Sequence, residues 1–75
     1  MTNNRTETSV KNGLKIINRA IKKNISLSEA ARQSGFGRNY VSDIKARIKD
    51  NYKNKNISRE MYSEFNTLIK QYENN

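Results

Sequence analysis

Arg38, Asn39, Ser42, Asp43 and Ala46 are spaced so that one helix would present them together, and each has a chemical partner on a base edge of duplex DNA. The guanidinium fork of Arg38 matches O6 and N7 of guanine, and the amide of Asn39 matches N6 and N7 of adenine. Ser42 can donate or accept, Asp43 can accept from cytosine N4, and Ala46 can pack on a thymine methyl. Two of the five have a plainer reading. Arg38 could touch phosphate alone, which carries no sequence information. A carboxylate among phosphates is repelled, so Asp43 is also read as the i,i+4 partner of Arg47.

A helix has to hold these groups. With Val41 as origin and 100° per residue, Ile44 and Ile48 fall on its side, while Asn39, Ser42, Asp43 and Ala46 fall opposite. The pattern predicts a helix over 38–49 with Gly37 as its N-cap. Upstream, Ser26 and Glu29 have capping-box spacing, and Ile25 is placed to staple onto Ala30. The helix they open is short, because Gly35 supplies a left-handed cap and Phe36 follows as a buried hydrophobe. Ala31 is small enough for the two helices to cross closely. Joined at "SGFG", they make a helix-turn-helix.

The remaining elements are also helical. Val10, Leu14, Ile17 and Ile21 recur at spacings of four, three and four, predicting a helix over 9–23 that Asn24 terminates in a left-handed conformation. Gly13 weakens its start, so Asn12 is an alternative first residue. Residues 1–8 are polar and unpatterned and read as a flexible arm, from which Arg5 could enter a minor groove or simply be disordered. "NYKNKN" reads as a polar linker. Ile57 and Ser58 open a last helix, with Met61, Phe65, Leu68 and Tyr72 on one face and Tyr62 and Ile69 beside it. The expected fold is all-α: a small four-helix domain over 9–75 with a central helix-turn-helix.

The segment 27–46 resembles the helix-turn-helix of the lambda-repressor/Cro-like family of phage and bacterial regulators. Ala31, Gly35, Phe36, Val41 and Ile44 match that family's small, glycine and three hydrophobic positions in order, and "GFGRNYVSDI" is close to its turn and recognition helix. The resemblance implies operator DNA read by a dimer, with the second helix of the motif in the major groove. Where the family often has a phosphate-touching Gln, this chain has Leu27, so that contact falls to Ser26, Ser28 or backbone N–H groups. A linker and one longer helix follow the motif instead of two short helices, so the family's dimer interface does not transfer.

Composition bounds the function. The 75 residues carry 15 Lys+Arg against 7 Asp+Glu, a net charge of +8, which draws the chain toward polyanions. Residues 1–25 alone hold six basic side chains and one acidic, a net +5. Lys45, Arg47, Lys49, Lys53 and Lys55 crowd the end of the recognition helix and are read as phosphate clamps with Ser26 and Ser28. There is no His, no Cys and no Gly-rich phosphate loop, and Glu60 with Glu64 are too few carboxylates for a metal nuclease. The expectation is a non-enzyme without cofactor, metal or small-molecule substrate. The absence of cysteine, of a secretory leader and of an apolar run of about 20 residues points to the cytoplasm and away from membranes. Only 33% of residues are hydrophobic, so a shared core is expected: a homodimer through Tyr62, Phe65, Leu68, Ile69 and Tyr72. Taken together, the sequence reads as a double-stranded DNA-binding transcriptional regulator, a repressor of phage or mobile-element type. The alternative is a small basic inhibitor or adaptor that binds an acidic protein through a helix-turn-helix frame.

Overall fold

A computed structural model describes residues 4–74. Four helices follow in order: α1 (Asn4–Lys23), α2 (Leu27–Gln33), α3 (Tyr40–Lys53) and α4 (Arg59–Glu73), and no strand occurs among the described residues. The all-α, four-helix expectation holds. α1 is the hub. It packs on all three other helices and most extensively on α4.

Its buried face explains that position. Val10, Leu14, Ile16, Ile17 and Ala20 are all within the core, where they meet Ala30, Ala31, Val41, Ile48, Ile57, Phe65 and Ile69. Full burial of a side chain such as Ile17 or Phe65 contributes about 1.5–3 kcal/mol. No polar or charged side chain among the described residues is buried, so the interior carries no desolvated group that needs a partner.

Helix ends follow from local chemistry. Ser26 and Ser58 are N-caps whose hydroxyls accept from the backbone N–H of Glu29 (3.1 Å) and Met61 (3.2 Å). The Glu29 carboxylate pairs with Arg32 at 3.3 Å, three residues on. Three helices end alike. Asn24 (φ 55°), Gly35 (φ 86°) and Lys55 (φ 61°) take the left-handed conformation. In each case the next residue's N–H reaches five residues back: Ile25 to Ala20, Phe36 to Ala31 and Asn56 to Asn51. These are Schellman ends.

Three boundaries differ from expectation. α1 begins at Asn4, so residues 4–8 of the supposed arm are helical, while Met1–Asn3 lie outside the described residues. Glu7 favours that first turn by complementing the helix dipole, and half-buried Thr6 and Glu7 are held by the fold although no apolar residue between positions 2 and 9 signals it. α3 starts at Tyr40 with Asn39 as N-cap, in place of Arg38 with Gly37 as N-cap. It also runs on to Lys53, because Tyr52 continues the stripe Val41, Ile44, Ile48 and stacks on Tyr62 with centroids 4.4 Å apart and planes 1° from parallel. The linker therefore shrinks to residues 54–58.

Candidate nucleic-acid interface

The turn between α2 and α3 is built from backbone bonds first. Gly35 N–H donates to Arg32 C=O (3.1 Å) and Phe36 N–H to Ala31 C=O (2.9 Å), which reverses the chain beside fully buried Ala30 and Ala31. Phe36 then lies against Tyr40, ring centroids 4.4 Å apart and tilted by 40°. The Tyr40 hydroxyl receives a long hydrogen bond from the Asn12 amide of α1 (3.5 Å). Deeper in, Val41 and Ile48 are buried, and Ile44 sits over Gly13 of α1, where a Cβ would lie 2.9 Å from Ile44 Cδ1. α3 is thus pinned to α1 at its first residue and again one turn later. Gly13 is there for close approach. From the sequence alone only its helix-weakening effect is visible, since the partner Ile44 is 31 positions away.

With α3 fixed this way, Arg38, Asn39, Ser42, Asp43 and Ala46 are all exposed. Asn39 caps α3 without a side-chain cap hydrogen bond, so its amide is not engaged by the helix end. Helical geometry orders the rest: Ser42 and Ala46 lie one turn apart along the outer strip. Lys45, Lys49 and Lys53 run down one edge, while Asp43 and Arg47 lie on the edge that faces α1. There Asp43 and Arg47 border a hollow with Arg5, Thr6 and Asn51. Arg5, expected in a flexible arm, is in the first turn of α1 at this rim. The expected Asp43–Arg47 ion pair is not formed. Pairs within 4 Å among the described residues are Glu29–Arg32 and Lys45–Glu73.

The phosphate candidates divide. Lys45 Nζ donates to Glu73 Oε2 of α4 at 2.9 Å, with both side chains about half exposed, so a phosphate would have to compete with a pair worth at most about 1 kcal/mol. Arg47, Lys49, Lys53, Lys55 and Ser28 are exposed, and Ser26 is exposed while its oxygen caps α2. Asp50, exposed one turn beyond Ala46, was not among the expected contacts. Its carboxylate marks where the outer strip stops suiting an anion.

The expected dimer residues are largely used inside one chain. Phe65 is fully buried and Ile69 is 6% exposed, so neither is open to a partner. Tyr62 is stacked on Tyr52, Leu68 packs on the core, and the Tyr72 hydroxyl accepts from the Leu27 N–H (3.2 Å) at the start of α2. The outward positions of α4 are polar: Arg59, Glu60, Ser63, Glu64, Thr67, Lys70 and Gln71. Much of the apolar face that suggested a dimer packs on α1 and α3 of the same chain.

Among the described residues no group of three or more acidic, His or Cys side chains could hold a metal, and no helix is long and apolar enough to cross a membrane. Comparison of the chain with protein-family models, curated proteins and solved structures finds no match to any of them.

Proposed function

We propose that this chain is a sequence-specific double-stranded DNA-binding regulator that presents α3 to the major groove. The observation that carries the reading is the start of α3. Arg38 in the turn, Asn39 at the N-cap and Ser42 and Ala46 on α3 are all exposed, and the opposite side of that helix is pinned to α1 through Tyr40 and Ile44. A helix with its side chains is about 10–12 Å across, matching a major groove about 12 Å wide. In this reading Arg38 and Asn39 read bases, Ser42 and Ala46 add a polar and a methyl contact, and Lys49, Lys53 and Arg47 hold phosphates at the edges. Repression is the simplest outcome, because occupancy of an operator is enough to block a polymerase. Two copies on a two-fold operator would follow the common helix-turn-helix arrangement, through surface other than Phe65 and Ile69.

Titration of random duplex DNA over a salt series tests the class, since each neutralised phosphate adds about 0.9 to the log–log slope. Selection of bound sites from random DNA then tests specificity, and a palindrome would report pairing. The rival adaptor reading takes its support from the net charge of +8, which draws an acidic protein as well as DNA. An adaptor would show little duplex affinity at physiological salt.

A further inference from the structure

Between Glu7 and Glu29 the chain has Lys11, Lys15, Arg19, Lys22 and Lys23 and not one carboxylate. On α1, Lys11, Lys15, Arg19 and Lys22 are spaced four, four and three apart, so they form one stripe on the side opposite Val10, Gly13, Ile17 and Ala20. Lys11, Lys15 and Lys22 are exposed and Arg19 is half exposed. Like charges at i,i+4 destabilise a helix by about 0.2–0.5 kcal/mol per pair, and no acidic residue on this stretch offsets them. The other helices differ: Glu29 pairs with Arg32 on α2, Asp43 and Asp50 interrupt the bases of α3, and Glu60, Glu64 and Glu73 interrupt those of α4.

The stripe also has a definite neighbour. Asn12, Lys15 and Arg19 bound one side of a solvent-open hollow, and Gln33, Ser34 and Phe36 of the helix-turn-helix bound the other. Arg19 Nη1 donates to Gln33 Oε1 at 3.3 Å across it, and Asn12 is tied to Tyr40, the residue after Asn39. The basic stripe thus meets the motif at its turn, beside the end of α3 that carries Arg38 and Asn39.

We infer that Lys15 and Arg19, with Lys11 and Lys22 extending the row, are a second phosphate-binding track. It grips the phosphodiester backbone flanking the groove that α3 enters. This rests on the DNA-binding reading and deepens it: the protein holds its duplex from two helices, and the α1 track sets the angle at which α3 enters. The track carries affinity without sequence preference, because phosphates are the same at every step.

The test uses the full chain and duplex DNA in a salt series, comparing wild type with Lys15→Gln/Arg19→Gln. Arg59→Gln/Lys70→Gln serves as control: it removes the same two charges from a hollow beside Tyr52 and Tyr62 that shares no residue with the first. Circular dichroism confirms that both variants keep their helices. The expected result is a slope lowered by about 1.8 in the α1 variant, so that its deficit on both selected and random duplex shrinks about tenfold between 50 and 200 mM salt. The control keeps the wild-type slope. A salt-dependent wild type with unchanged slope in the α1 variant overturns the track and leaves the DNA-binding reading standing. Equal slope losses in both variants overturn it too, since net charge alone would then be at work. A wild type that ignores duplex DNA at low salt removes both readings, and salt-sensitive retention on anionic vesicles in that case reassigns the stripe to a lipid surface.

Discussion

Gly13→Ala sets two effects of known sign against each other. Alanine in a helix interior is favoured over glycine by about 1 kcal/mol. Against that, the new Cβ would lie 2.9 Å from Ile44 Cδ1, whereas its 3.5 Å to Phe65 Cε2 is ordinary contact. Overpacking of this kind costs about 1–3 kcal/mol, and the half-buried Ile44 tip can relieve part of it, so the net effect is a destabilisation of about 0–2 kcal/mol. Since 1 kcal/mol moves the midpoint of a domain this size by about 4–8 °C, a loss near 1 kcal/mol is readily measured. The decisive comparison is made in an Ile44→Val background, which deletes Cδ1 and costs about 0.5–1.5 kcal/mol alone. There Gly13→Ala should stabilise by about 0.5–1 kcal/mol, because only the helix preference remains. The double-mutant cycle, read by urea and thermal unfolding, should give a coupling of about 0.5–3 kcal/mol. If Gly13→Ala is equally harmful in both backgrounds, Ile44 is not what excludes a side chain there, and the account of how α3 is pinned to α1 is wrong.

Other substitutions address the turn, the α4 contact and base reading. Gly35 has φ 86° and open space around it, so Gly35→Val should lose about 1–2 kcal/mol through backbone strain alone, while Gly37→Ala should be nearly neutral; equal midpoints for the two would discount the left-handed cap. Tyr72→Phe removes the acceptor for the Leu27 N–H and should lower stability by about 0.5–1.5 kcal/mol, with no change in sedimentation at any concentration if Tyr72 serves one chain only. Arg38→Ala and Asn39→Ala should each weaken binding to a selected site by about 1–3 kcal/mol and leave random-duplex binding nearly intact; equal losses on both would reduce them to backbone contacts.

Periodicity and turn chemistry made most of the fold legible. Ser26, Gly35 and Asn24 each behave as their residue type dictates, because caps and left-handed turns depend on the few residues around them, whereas Phe36, expected to be buried, is half-buried against Tyr40. What was hidden depends on partners distant in sequence. Tyr52 reads as linker until Tyr62 is beside it, residues 4–8 read as an arm until α3 lies against them, and Gly13 reads as a defect until Ile44 is placed over it. The exposure of the recognition-helix candidates was readable from Val41, Ile44 and Ile48. The apolar face of α4 was read correctly as a face, and Phe65 and Ile69 on it are taken up within one chain. Sequence shows that Phe65 and Ile69 must be covered, but not that α1, some 50 residues earlier, is what covers them.

That covering of α1 by α4 has a consequence for how the protein is made. The side chains that close the interior, Phe65 and Ile69, lie C-terminal to the whole helix-turn-helix and are synthesised after it. Bringing α1 and α4 together across the intervening chain is not the obstacle, since doubling a loop costs only about 0.6 kcal/mol. The requirement is that all four helices be present at once. A chain ending before Phe65, or one cut in the exposed stretch 53–55, should therefore lose the helical signal of α1 and α3 along with that of α4, which circular dichroism of a 1–58 fragment checks.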